Sequence, residues 1–199
     1  MYLYCANAPV FRRDDNGKSF FEHFFFRLMH HQQYEFWEEV ACGLLLAGFE
    51  FSADFLFNSL REHPTNRCYH NNSSLAKRIK QNKEFQRKVD QAISTGSLGP
   101  FGVVFENDMD LFGAIHRASF VVIPVKGNDE KARYHIKMYD KYDFDYIESY
   151  SISSSSLMKS LFIYAGIEGN NLAVTSMEDG VLREFNIHVD FFVDISFKE

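Results

Sequence analysis

Residues 185–197 read FNIHVDFFVDISF. Phe185, Ile187, Val189, Phe191, Val193, Ile195 and Phe197 fall on one side of an extended chain. Asn186, His188, Asp190, Asp194 and Ser196 fall mostly on the other. Successive strand side chains point to opposite faces, so this period of two predicts a long, half-buried strand. A strand with one apolar face needs neighbours in a sheet and a layer to cover that face.

Helices upstream supply the cover. Segments 19–31 and 34–47 both read as helical. Ser19 and Glu22 form a capping box for the first, and Gly48 closes the second. Residues 52–63 follow, with Ser52 as cap and Pro64 just past the end. A helix over 73–94 places Leu75, Ile79, Phe85, Val89 and Ile93 on one stripe. The run FFEHFFFRLMHH (20–31) carries Phe around most of its circumference. It reads as a buried central helix or as a lipid- or partner-facing groove.

STGSLGP (94–100) punctuates the chain with Gly96, Gly99 and Pro100, and the period changes after it. Strands are expected at 101–106, 117–126 and 132–140, with Pro124 marking an edge or bulge. A helix is expected over 156–167, closing at Gly166 or Gly169. The fold class is α+β: an N-terminal helical layer packed with a C-terminal antiparallel β-sheet or partly closed barrel. Residues 1–95 form the helical segment and 96–199 the β-rich segment of one compact domain.

Composition narrows the function classes. The net charge of −6 argues against a nucleic-acid partner. The basic run 76–88 is interrupted by acids and amides and reads as a solvated helix face. Cys5, Cys42 and Cys68 are an odd, widely spaced set, as expected of a protein made in a reducing cytoplasm. The first residues lack the basic start and apolar run of a signal peptide. No stretch is long and apolar enough to span a membrane. His30 and His31 diverge by about 100° on a helix and make a poor ligand pair. ENDMD (106–110) reads as a turn or helix cap.

The densest chemistry lies in YDKYDFDY (139–146), at the end of an ordinary strand pattern. A hairpin around GNDE pairs Val125 with Ala132, Ile123 with Tyr134, Val121 with Ile136 and Ser119 with Met138. One face of it is then apolar. The same register sets Arg117 opposite Asp140 on that face, with Tyr142 following. A carboxylate aimed at a core must be paired, metal-bound or in a cleft. The pair is therefore either a cross-strand structural contact or the edge of a site.

DKYDF (140–144) resembles the D-x-Y-D-F signature of the colicin M family of bacteriocins. That resemblance implies a magnesium-dependent hydrolase that cleaves lipid II between the polyprenyl chain and the pyrophosphate. It makes Asp140 and Asp143 the essential acids and metal ligands, and Tyr142 an active-site phenol. The family's pattern continues with a His-Arg pair, where this chain has IESYSIS. His116 and Arg117, one strand away, could supply those groups: Arg117 as a phosphate clamp and His116 as a general acid. The function expected is an antibacterial toxin domain that hydrolyses a lipid-linked pyrophosphate at a membrane surface. It would be made in the cytoplasm, act after export on the target-cell periplasm or envelope, and have an immunity protein as a possible partner. The alternative is a non-catalytic interaction protein (an immunity, adaptor or phage-tail-type factor) with an acidic binding surface.

Overall fold

A computed structural model describes residues 28, 30–128, 131–144 and 169–196. The expected helices at 19–31 and 156–167 lie largely or wholly outside the described residues. In chain order the elements are α1 (His31–Leu46), α2 (Glu50–Ser59), β1 (Arg67–Tyr69), α3 (Ser74–Gln81), α4 (Lys83–Thr95), β2 (Phe101–Val104), α5 (Met109–Ile115), β3 (Arg117–Asn128), β4 (Lys131–Tyr142) and β5 (Phe185–Ser196). Residues 169–178 are also helical. The class is α+β, as expected. The sheet is open and runs β1-β5-β4-β3-β2. It is mixed and not purely antiparallel, because the three-residue β1 runs parallel to β5.

The period-two pattern of 185–197 holds where it is described. Phe185, Ile187, Val189 and Phe191 are buried, and β5 lies antiparallel to β4 along its whole length. Their core partners come from both halves of the chain. Phe55, Leu75, Ile79, Phe85 and Val89 from the helices meet Val103, Phe120, Val122, Ile136 and Met138 from the strands in one cluster. A second cluster joins Trp37, Tyr34 and Ala41 of α1 to Leu56, Leu60, Ala173, Val181 and Leu182. Trp37 satisfies its indole N–H there by donating to Ser176 Oγ at 2.9 Å.

The helix expected over 73–94 is two helices. Asn82 interrupts it with extended backbone (φ −70°, ψ 125°), and its side chain accepts hydrogen bonds from the Glu84 and Phe85 N–H groups. Asparagine competes with helix interiors by making such caps. The break also explains the six-residue step from Ile79 to Phe85: the apolar stripe restarts at Asn82.

Helix α2 begins at Glu50, two residues before the expected cap at Ser52. Its cap comes from another element. The Asp110 carboxylate of α5 accepts from Phe51 N–H at 3.2 Å and Ser52 N–H at 2.9 Å, and Ser52 Oγ donates to Asp110 as well. An acid there also complements the helix dipole. Helix α5 can approach this closely because residue 113 is glycine: a Cβ at Gly113 would lie 2.7 Å from Ser52 Oγ. Within ENDMD, Asp108 caps α5 through Leu111 N–H and pairs with Arg78.

The β3–β4 register differs by one residue from the expected one. Ser119 pairs with Tyr139, Phe120 with Met138, Val122 with Ile136, Ile123 with His135 and Val125 with Arg133; the register shifts between Val125 and Asn128. Ala118, Phe120 and Val122 therefore face the core in place of Ser119, Val121 and Ile123. Both alternating sets of β3 are apolar enough to be buried, so the pattern alone could not choose; the irregularity near the turn chooses. Pro124 is not on an edge strand, but β2 ends its pairing at Phe120. Beyond it Val122 N–H still donates to Leu98 O at 2.7 Å, and Pro124, two residues on, withholds a donor from stray strands.

Candidate functional site at the end of β4

The expected orientation of β4 holds. Ile136, Met138 and Tyr142 are buried, and Asp140 lies half-buried on the same face between Met138 and Tyr142. Asp140 is paired across the strands with Ile187, which is fully buried. Burial in these apolar surroundings pushes the Asp140 carboxyl up to about 8. The Lys141 N–H beside it opposes that rise, and the charge of Asp143 adds to it. At neutral pH Asp140 is therefore mainly a carboxylic acid.

Asp143 is exposed just past the strand end. Lys141 Nζ lies 3.8 Å from its Oδ2 and also contacts Glu184, tying the end of β4 to the chain that enters β5. Asp140 and Asp143 sense each other electrostatically, but one belongs to the core side and the other to solvent.

Tyr142 belongs to the core. Its ring stacks on Phe185 at 4.9 Å and meets Phe55 and Phe144 edge-on at 5.9 and 5.2 Å. Burial drives its hydroxyl pKa far upward.

Arg117 does not face Asp140. It pairs with Val104 in the β2–β3 ladder, and its guanidinium lies over Gly102 on the opposite face of the sheet. A Cβ on Gly102 would come within 3.0 Å of Arg117 Nε. The one-residue register difference is the physical reason, since it turns every β3 side chain to the other face. His116 is not in the strand. It ends α5 with φ 54°, its ring set edge-on to Phe112 at 4.7 Å, and desolvation of the ring holds its pKa below the usual value. The structure thus brings Asp140, Lys141 and Asp143 together and leaves His116 and Arg117 elsewhere.

Among the described residues, no group of three or more His, Cys, Asp or Glu side chains is placed to hold a metal. The two aspartates lie on different sides of the chain, Asp140 toward the core and Asp143 toward solvent. Magnesium is commonly held by one or two carboxylates, with water and phosphate oxygens completing its shell. Burial is the main cause of the rise at Asp140, and a cation between the two acids would relieve only the smaller part that comes from Asp143. Asp140 could join such a set only after losing its proton.

Sequence reasoning missed the ligand-like row on the opposite face, where Cys68, His188, Tyr139 and Ser119 lie side by side across β1, β5, β4 and β3. The alternation of β4 and β5 placed His188 and Tyr139 there; the three-residue β1 carried no readable signal. Among the described residues, no helix is long and apolar enough to cross a membrane. No family model, curated protein or solved structure matches this chain.

Proposed function

We propose that the protein is a hydrolase of a phosphoester, most specifically a lipid-linked pyrophosphate of the lipid II type, with its chemistry at Asp140 and Asp143. The observation that supports this is the contrast between two neighbouring carboxyls: burial pushes Asp140 up to about 8, and Asp143 is exposed to solvent. Pairs of acids driven apart by their surroundings are a recurring basis for acid–base work. Asp140 is the proton donor to the departing oxygen. Asp143 faces solvent, where it can orient water or hold a cation. Magnesium, when bound, would neutralise pyrophosphate oxygens.

The setting implied by the DKYDF resemblance is interbacterial competition: an exported toxin acting at a target-cell envelope, with an immunity protein as possible partner. The test is incubation with radiolabelled lipid II, with and without Mg²⁺. Release of the pyrophosphorylated sugar-peptide by the wild-type chain, lost in Asp143→Ala, is the expected result. No release under any condition would end the reading.

The second reading is a non-catalytic interaction protein. The exposure of Asp143 and the core position of Tyr142 favour it, since both suit a strand end that presents charge without a catalytic phenol. Binding that survives Asp140→Asn and is lost in Asp143→Lys, without turnover of any phosphoester, would separate the two.

A further inference from the structure

The helices cover one face of the sheet, where Val103, Phe120, Ile136, Met138 and Ile187 enter the core. The strand residues that alternate with these form a second face. Among its described residues, from Gly102 on β2 to Cys68 on β1, none is buried. Its charges are sorted by strand. On β4 the outward residues are Lys131, Arg133, His135, Lys137, Tyr139 and Lys141, with no acid among them. On β5 they include His188, Asp190, Phe192 and Asp194, with no lysine or arginine. The face is therefore divided lengthwise, a basic column beside an acidic one.

The register sets the two columns side by side. Arg133 lies opposite Asp194, and Lys137 opposite Asp190. Arg133 and Asp194 meet at 2.7 Å. Asp190 instead leans to His135 Nε2 at 3.1 Å, and its side chain stays 43% exposed. A two-fold axis lying along the β4–β5 seam, parallel to the strands, would exchange the columns between two copies. Lys137 would then face the second copy's Asp190, Arg133 its Asp194, and His135 its Phe192. Each contact occurs twice, as contacts about a two-fold axis do.

We propose that this face is the interface of a homodimer, packed sheet to sheet with β4 of each copy over β5 of the other. Charge complementarity selects a second copy, because each column is the complement of the other on the same chain. A uniformly anionic partner would be repelled by β5, and a cationic one by β4. The size also suits a dimer. Strands β3, β4 and β5 each run 12 residues. Together they present a face of about 40 Å by 14 Å, on the order of 600 Å² before β1 and β2 widen it. Specific interfaces take about 600–1,000 Å² from each partner. Facing sheets stand about 10 Å apart, within the joint reach of a lysine and an aspartate. Phe192, Ile123 and Val125, each about two-fifths exposed, add apolar area to the face. The dimer does not depend on hydrolysis at Asp140, which lies on the opposite side of the sheet.

The experiment is sedimentation equilibrium of the full chain at high micromolar concentration. A wild-type dimer is expected, weakened by salt. Lys137→Glu and Asp190→Lys should each weaken it by about ten-fold or more, because the exchanged contact then joins like charges. An equimolar mixture of these two variants should recover a heterodimer. Both changes in one chain should recover the homodimer. Recovery in the mixture reads contact between copies, since the cross-strand pair within each chain stays broken. Lys83→Glu, an exposed site on α4, should leave the mass unchanged. Circular dichroism melts confirm that each variant folds. A monomeric wild type, the outcome if another segment of the chain or an unlike partner covers the face, would overturn the inference. So would a dimer that neither single variant weakens, or a mixture that stays monomeric. Because oligomeric mass and lipid II cleavage are read separately, either can fail alone.

Discussion

Asp140 lies directly across from Ile187, a carboxyl set beside a fully buried aliphatic side chain on the core face of the sheet. That relationship raises the carboxyl to about 8 and makes it a proton store at neutral pH.

The same relationship has a thermodynamic signature. The unfolded carboxyl titrates near 3.8 and the folded one near 8, so between these values the folded state binds more protons. Its contribution to stability is fully present below the lower value and is lost as pH rises through the higher one. Asp140→Asn should remove this dependence and raise stability near pH 8 by about 1–3 kcal/mol. Urea unfolding of both proteins from pH 4 to 9 checks it; parallel profiles would show an ordinary carboxyl.

Tyr142→Phe should keep the fold within about 1 kcal/mol and keep catalytic activity, because the ring is stacked among Phe55, Phe144 and Phe185. Phe55→Ala, at the centre of that cluster, should cost about 3–5 kcal/mol. Chemical denaturation measures both. Activity lost in a stably folded Tyr142→Phe would return the phenol to the site.

Arg117→Ala should leave lipid II cleavage within about three-fold of wild type, a change of under 1 kcal/mol in the barrier. Its guanidinium lies over Gly102, on the opposite face from Asp140. A hundred-fold loss in initial rate would mean that the two faces communicate.

Asp110→Ala should destabilise by about 2 kcal/mol, because it strips the Phe51 and Ser52 N–H groups of their cap. Thermal unfolding reads the effect, and Asp110→Asn should restore part of it.

Much of the sheet was legible because β5 and β4 alternate cleanly: Phe185 to Phe191 and Ile136 to Tyr142 announced their buried faces. Strand β3 was not, since Phe120 and Val122 compete with Val121 and Ile123 and only the irregularity after Val125 decides between them. Asp140 was therefore placed on the correct face and given the wrong partner. The cap of α2 was illegible for another reason. Asp110 reaches Ser52 from 58 residues away, and sequence-local capping rules see only neighbours. Strand β1 is too short to show a period at all.

The most direct test of the central claim follows the initial rate of lipid II cleavage against pH, in wild type and Asp140→Asn. If Asp140 donates the proton, the wild-type rate falls as pH rises through about 8, and Asp140→Asn is inactive at every pH while remaining folded. A folded Asp140→Asn that cleaves at the wild-type rate would contradict the account.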